Sequence, residues 1–349
     1  MKTAVATSMK VAPPGRTGPL GIALAPAADL LTAELVEAAM AGAADLGLQT
    51  RGVRPGDDQS QLGVLLGIGH PSSVMPVFED RRVCRRVLWV GEAFLPRDAP
   101  RVGPLSQIAR SRAMEYLKYP LRPFKDLPLP GPLARARASA TIERQRSRNL
   151  RQISRLDRAV DRVVVTSRDR RAVLLDRGLT ADVVPFGYAA AVAGPLTPPG
   201  RGDRDLTFVL LGNLHPRLAG RRAAVTRWQA GEPRPHAIDG VWGAERNDLL
   251  RRSRIVLNVS RVAGEFVGIR LVLALAAGAV VVSEPMADPF PFVAGVHFVE
   301  APLDGLLEAA RELEADEGRR RRMAEAGQAL LATELSMARC LGRALGLGA

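Results

Sequence analysis

Cysteine is nearly absent from this sequence. The 349 residues include two cysteines, Cys84 and Cys340, which stand far apart and without companions at the spacing of metal ligands. This argues against a disulfide framework and against a zinc site, and it is typical of proteins from a reducing compartment. We therefore expect a cytoplasmic protein without a zinc site. No other metal and no cofactor are expected either.

Long apolar runs are also missing. No stretch approaches the roughly 18 uninterrupted apolar residues of a membrane-spanning helix, and residues 1–18 lack the continuous apolar core of a secretory signal. The 47% of hydrophobic and 24% of charged residues are those of a globular protein in water. A length of 349 residues predicts two domains, because a single core rarely grows this large.

Lysine is scarce as well. Four of the 49 basic residues are lysines, the others are arginines, and the formal net charge is +13. This charge favours an anionic partner, although a coding bias toward arginine and alanine would give the same excess. Nucleic acid is not favoured as the partner, because no recognised binding motif accompanies the charge. Peripheral contact with an anionic membrane surface is kept as an alternative.

The chain does contain a clear strand–helix–strand pattern over residues 252–286. Two short, β-branched apolar runs predict strands over 254–259 and 279–283, and the Leu/Ala-rich piece between them predicts a helix that begins near Gly268. In a parallel sheet, the loop after the first strand lies at the carboxyl edge, beside the unpaired N–H groups of the helix start. Anionic ligands bind at such places.

The residues of this loop fit a nucleotide sugar. Ser260, Arg261 and Glu265 lie in the loop, and Arg270 follows one turn into the helix. The guanidinium groups are suited to a phosphate, and the carboxylate can accept hydrogen bonds from sugar hydroxyls. Structural roles stay open beside this one: backbone satisfaction for Ser260, helix N-terminal electrostatics for Glu265 and a buried ion pair for Arg270.

The first half of the chain has the pattern of a Rossmann-like domain, in which strands alternate with helices. Strands are predicted over 19–27, 48–53, 61–71, 85–94, 161–167 and 181–188, and helices over 29–47 and 168–179. Small, proline-rich and glycine-rich residues then mark a linker. We therefore place one domain at 1–190 and a second at 191–349, with the last helix able to cross back to the first domain.

Two polar residues stand at strand ends of the first domain. His70 lies at the end of the third predicted strand and Glu92 near the end of the fourth, and sites gather at such carboxyl ends. Both are candidates for a catalytic base, although a lone histidine also has a structural interpretation. The segment around Gly67 and Gly69 lacks the third glycine of a dinucleotide fingerprint, so NAD is not expected.

The second domain opens with a similar anion-binding pattern. A predicted strand over 206–211 ends in Gly212 and Asn213, and Arg217 follows before the next helix. A strand followed by a helix start presents backbone N–H groups to an anion, and the guanidinium adds charge.

Several segments between residues 160 and 335 resemble glycosyltransferases of the GT-B architecture, in particular the family-4-like group and its relatives with a spore-protein-type C-terminal domain. The segments are DRVVVTS, VVPFGY, LLGNL and LLRRSRIVLNVSRVAGEFVGIRLVLALAAGAVVVSE. The resemblance implies an α/β fold of two Rossmann-like domains that face each other across a cleft. It also implies a nucleoside-diphosphate-sugar donor in the second domain, an acceptor in the first, and hexosyltransferase-like transfer without an obligatory metal.

The resemblance assigns roles to individual residues. Gly212 would approach the diphosphate and Arg217 would contact its charge. Glu265 would contact the donor sugar, and Gly268 with Ile269 would form the helix start beneath the phosphates. Whether transfer retains or inverts the anomeric configuration stays open, and so does the acceptor, which is a small molecule, a lipid-linked group or a polymer.

One position departs from the family pattern. The family often has a second glutamate eight residues after the first, which binds the ribose, and Leu273 occupies that position here. Leucine cannot accept a hydrogen bond from a hydroxyl. Either the ribose is held elsewhere, with Glu284 as a candidate, or the nucleotide site is degenerate. In the second case the chain is a catalytically silent relative that acts as a binding or partner subunit.

Overall fold

The computed structural model describes two parallel β-sheets with helices packed around them. The described residues are 18–24, 30–69, 71–78, 85–91, 151, 153, 159–200, 204–211, 228, 235–238, 240–260, 264 and 268–347. Within these ranges, every helix is too short or too polar to span a bilayer.

The first sheet has six strands in the order β2-β1-β3-β4-β5-β6, and all neighbours are parallel. They are β1 (Leu20–Ala23), β2 (Thr50–Val53), β3 (Val64–Ile68), β4 (Arg86–Val90), β5 (Arg162–Val165) and β6 (Asp182–Val183). The helices are α1 (Leu30–Asp45), α2 (Pro71–Phe78) and α3 (Arg168–Leu175). Strands β1 and β4 are buried along their whole length, as expected for a parallel sheet that is covered on both faces. We call this unit the first lobe.

The second sheet has five parallel strands in the order β11-β10-β9-β7-β8. They are β7 (Leu206–Leu211), β8 (His236–Ile238), β9 (Ser253–Asn258), β10 (Val280–Ser283) and β11 (Phe298–Glu300). A short helix, α4 (Ala190–Ala193), connects the two sheets. The helices that follow are α5 (Gly243–Arg251), α6 (Gly268–Ala276), α7 (Leu306–Ala315), α8 (Glu317–Thr333) and α9 (Met337–Leu345). The second sheet with α5 to α8 is the second lobe.

The central strand–helix–strand unit forms as the sequence predicts, as β9, α6 and β10. A tight turn at Gly278 makes the passage from α6 to β10 possible. Its φ is +71°, and a Cβ atom on this residue would lie 2.4 Å from the carbonyl oxygen of Thr197. Glycine is therefore required both for the backbone angle and for the close approach of the linker.

The chain crosses between the lobes at two adjacent places. The Tyr188 N–H donates to the Leu335 carbonyl at 2.6 Å, and the Met337 N–H donates to the Tyr188 carbonyl at 2.7 Å. Beyond this crossing, α9 packs against α1 and β4 of the first lobe. Gly42 of α1 permits that contact, because a Cβ atom there would lie 2.8 Å from Cγ of Met337.

Candidate functional site

The carboxyl ends of β9 and β10 form a buried polar platform. Asn258 lies opposite Ser283 in the parallel register. Its Nδ2 donates to Ser283 Oγ at 2.9 Å, and Ser283 Oγ donates to the Glu284 carbonyl at 2.9 Å. All three residues are buried. The two strand ends are thus fixed to each other beneath the loop that follows β9.

Glu284 holds the beginning of that loop. Its side chain is buried, and Oε1 accepts the Ser260 N–H at 3.1 Å. Its own N–H donates to the Asn258 carbonyl at 3.3 Å. The carboxylate therefore has a backbone partner in the loop, in addition to the ligand contact that the sequence proposes for it.

Arg270 holds the end of β9 from the side of the helix. Its Nη1 donates to the Val259 carbonyl at 2.9 Å and to Asn258 Oδ1 at 3.2 Å. Both acceptors are neutral groups of the strand end. This geometry supports a structural role for Arg270, as a donor to the strand end, more directly than the phosphate contact expected from the sequence.

Gly268 and Ile269 are the first two residues of α6, where the sequence predicts the helix start. Ile269 and Leu273, which lie one helical turn apart, both line a small cavity between the lobes. Leu273 is 5% exposed, and the cavity beside it has a volume of about 10 Å³, enough for one water molecule. The remaining lining residues are Leu31, Glu34, Leu35, Ala38, Gly187, Ala189, Val192, Ala193 and Val272. Packing against the first lobe therefore explains leucine at this position.

An ion pair between the lobes lies beside this cavity. Glu34 of α1 accepts hydrogen bonds from Arg246 Nη1 at 2.7 and 2.9 Å, and from the Gly243 N–H at 3.1 Å. Arg246 Nη2 also donates to the Val192 carbonyl in α4 at 3.3 Å. The sequence analysis did not predict this pair. The feature that could have indicated it is an acidic residue, Glu34, within the apolar face formed by Leu31, Leu35 and Ala38.

A second, exposed contact joins the lobes at the carboxyl edges of the two sheets. The Arg168 N–H donates to Asp288 Oδ2 at 2.6 Å, and the Arg168 guanidinium carbon lies 4.0 Å from the ring centroid of Phe290. Arg168 is the first residue of α3, and Asp288 follows β10. Further along the same segment, burial lowers the pKa of His297, whose Nδ1 accepts the Val293 N–H.

Seven predicted site residues lie outside the described residues: His70, Glu92, Gly212, Asn213, Arg217, Arg261 and Glu265. Their roles stay predictions from the sequence. In the part of the chain that is described, histidine, cysteine and acidic side chains do not gather in groups of three or more that could hold a metal ion.

The second lobe matches a known family. Residues 200–345 match the family model described as glycosyl transferase-like. Over these residues the chain is similar to glycosyl transferase-like domains. This match includes the platform, Arg270 and the segment that carries Glu265. It confirms the resemblance to glycosyltransferases for this part of the chain. No curated protein matches the chain.

Solved structures with a similar fold match nearly the full length of the chain. Sucrose-phosphate synthase from Thermosynechococcus elongatus matches with a TM-score of 0.60 and 12% identity, over 95% of this chain and 98% of that one. HepE from Anabaena, in complex with UDP and glucose, matches with a TM-score of 0.58 and 11% identity, over 94% and 98%. A glycosyltransferase from Rickettsia africae matches with a TM-score of 0.53 and 9% identity, over 95% and 98%. The predicted GT-B fold of two facing α/β lobes is confirmed.

Proposed function

We propose that the chain transfers a sugar from a nucleoside-diphosphate sugar, held mainly by the second lobe, to an acceptor held by the first. The observation that carries this proposal is the glycosyl transferase-like domain at 200–345, within which a buried platform supports the loop after β9. HepE, which has a similar fold, has been solved with UDP-glucose. A uridine diphosphate sugar is therefore the first donor to test.

The proposed chemistry follows from charge. When the nucleoside diphosphate leaves, negative charge develops on its β-phosphate, and preorganised cations and helix-terminal N–H groups stabilise that state more than the ground state. Arg217, Arg261 and the start of α6 would supply this stabilisation. Since these groups provide the positive charge, we propose that no metal is needed. Arg270 contributes indirectly, because it holds the end of β9.

The remaining roles follow the sequence hypotheses. Glu265 would contact the donor sugar, and Gly212 with Asn213 would approach the diphosphate. His70 or Glu92 of the first lobe would be the base that acts on the acceptor. We propose that the ribose binds without a glutamate from α6, since the position of that glutamate is filled by the buried Leu273.

A second candidate function is that of a silent relative, which binds a partner or a nucleotide without transferring sugar. The same Leu273 favours it, because the chain lacks the ribose-binding glutamate of the family at this position.

We propose a cytoplasmic location for either candidate function, because the low cysteine content is typical of proteins from a reducing compartment. Contact with anionic membranes is the proposed role of the excess charge, and flotation with anionic vesicles at low and high salt tests it.

Thermal unfolding against a panel of nucleoside diphosphates and their sugars separates the two candidates. A ligand at a hundred times its Kd stabilises the folded state by about 2.7 kcal/mol, and we expect such a shift for at least one donor. Hydrolysis or transfer of that donor then identifies an enzyme. Binding without turnover, or no stabilisation by any member of the panel, would favour the silent relative.

The site assignment is tested with Glu265→Ala. We expect loss of transfer with an unchanged midpoint of thermal unfolding, because a loop carboxylate contributes little to the core. The matched control is Glu325→Ala, which removes a carboxylate whose side chain is 51% exposed on α8, where it pairs with Arg321. Turnover by Glu265→Ala at the level of this control would show that the donor site lies elsewhere.

A further inference from the structure

Residues 284–290 form a segment that contacts both lobes, and we call it the bridging segment. At its start, Glu284 Oε1 accepts the Ser260 N–H at 3.1 Å. In its middle, the Ala287 N–H donates to the Gly264 carbonyl at 3.0 Å, and Met286 forms a parallel bridge with Gly264. The bridging segment therefore holds the loop after β9 at Ser260 and at Gly264.

The far end of the bridging segment reaches the first lobe. Asp288 Oδ2 accepts the N–H of Arg168, the first residue of α3, at 2.6 Å. The N-cap residue Ser167 makes no side-chain capping bond, so a carboxylate of the second lobe caps a helix of the first. A negative charge at a helix N-terminus is stabilising. The Arg168 guanidinium covers Phe290 in addition.

This contact differs in strength from the buried pair of Glu34 and Arg246. Arg168 and Phe290 are exposed, and Asp288 is half-buried. A backbone hydrogen bond to a partly exposed carboxylate and an exposed cation–π contact are weaker than a buried ion pair, whose loss leaves an uncompensated buried charge. The buried pair lies beside the connecting helix α4, whereas the Arg168–Asp288 contact lies at the carboxyl edges of the sheets. A relative movement of the lobes would therefore break the exposed contact before the buried one.

We propose that Asp288 is a positioning residue that couples contact between the lobes to the loop after β9. With the lobes in contact, α3 fixes Asp288, and the bridging segment fixes Ser260 and Gly264. With the lobes apart, the loop loses this restraint. The inference rests on the proposed function, because the same loop carries Glu265, the expected contact of the donor sugar. The coupling can be no larger than the free energy of the Arg168–Asp288 contact itself.

The first test compares Asp288→Ala and Asp288→Asn with a matched control, Asp182→Asn. Asp182 is likewise a half-buried carboxylate, and it accepts a hydrogen bond from Arg162 Nε at 2.7 Å on the edge strand of the first sheet. We expect kcat for donor hydrolysis or transfer to fall about fivefold in Asp288→Ala, the factor that loss of a typical N-cap contact gives. Asp288→Asn should stay closer to the wild type, because its amide oxygen can still accept the Arg168 N–H. The control should stay within about 1.5-fold of the wild type on the same scale.

Hydrogen exchange provides a readout that does not depend on catalysis. In Asp288→Ala, peptides that contain residues 260–267 should exchange faster, while peptides from β8 should not change. A double-mutant cycle with Glu284→Gln then tests whether the effect of Asp288 reaches the loop after β9 through the bridging segment, because both substitutions act on that loop. We expect their effects on exchange to be less than additive.

The outcomes separate this inference from the proposed function. If the wild type binds no nucleoside diphosphate but Asp288→Ala speeds exchange at 260–267, the coupling stands and the proposed function fails. If the wild type turns over a donor and Asp288→Ala matches Asp182→Asn in kcat and in exchange, the function stands and the coupling is overturned. Additive effects in the double-mutant cycle would also overturn the coupling.

Discussion

Oε2 of Glu34, in the first lobe, lies 2.7 Å from Nη1 of Arg246, in the second. The two side chains are 13% and 3% exposed, so the pair is almost completely removed from water. Gly243 at the start of α5 and Val192 in α4 complete the network. One guanidinium therefore joins α1, the connecting helix and α5, and it fixes the lobes to each other beside the linker.

Glu34→Ala should lower the free energy of unfolding by about 3–5 kcal/mol, because it leaves the buried Arg246 without its carboxylate. Chemical denaturation measures this change. The control is Glu37→Ala on the exposed face of the same helix, for which we expect a change within about 0.5 kcal/mol. Equal effects for the two variants would show that the ion pair does not form in solution.

Leu273→Glu restores the side chain that the family often has, and we expect it to weaken the protein without improving donor binding. A carboxylate at this position would be buried among apolar residues of α1, α4 and α6. Leu273→Ala should cost about 2–5 kcal/mol by leaving a cavity, and Leu273→Glu at least as much. Denaturation and donor titration test both points. A stable Leu273→Glu variant with tighter donor binding would place this position in an open nucleotide site instead.

Gly278→Ala should destabilise the protein more than Gly178→Ala does. The two glycines have nearly the same φ, +71° and +74°, so the cost of a left-handed alanine, about 1–2 kcal/mol, is shared. A Cβ atom on Gly278 would lie 2.4 Å from the Thr197 carbonyl oxygen, whereas a Cβ atom on Gly178 would meet nothing within 4 Å. We expect a further loss of about 1–3 kcal/mol for Gly278→Ala in denaturation. A smaller loss than for Gly178→Ala would contradict this packing.

Cys340 should be unreactive in the folded protein. Burial raises the pKa of its thiol to about 12, so the nucleophilic thiolate is scarce at neutral pH. In a Cys84→Ser background, alkylation at pH 8 should proceed only as fast as the protein unfolds. Because the pKa is raised on folding, the thiol favours the folded state below about pH 9, and this contribution is lost as the pH rises toward about 12. Rapid alkylation of the native protein would show that α9 is not docked on α1.

The sequence alone predicts those helices and strands that have strong local patterns of apolar residues. The β-branched runs and the Leu/Ala-rich stretch around α6 predict β9, α6 and β10 to within about one residue. The strand β8 (His236–Ile238) was not predicted, because three residues carry too little periodicity to be recognised. The resemblance also predicts the GT-B fold, which agrees with the two parallel sheets and with the similar solved structures.

The candidate site was predicted less completely, for a physical reason. Ser260, Arg270 and Glu284 do come together at the carboxyl edge, where parallel strands were expected to bring them. Glu34 and Asp288 were missed because each acts on a residue far away in the sequence, and a carboxylate on a helix or in a loop resembles an ordinary surface acid. Contacts between lobes leave almost no local pattern for sequence analysis to detect.

The docking of α9 on the first lobe has a consequence for biosynthesis. The apolar surface of α1 that receives Met337 and Cys340 is translated early, but its covering helix emerges from the ribosome only after the entire second lobe. Until then the nascent first lobe exposes this surface to water. We expect it to be a point at which chaperones engage the growing chain, and a ribosome stalled within the second lobe would release a product prone to aggregation.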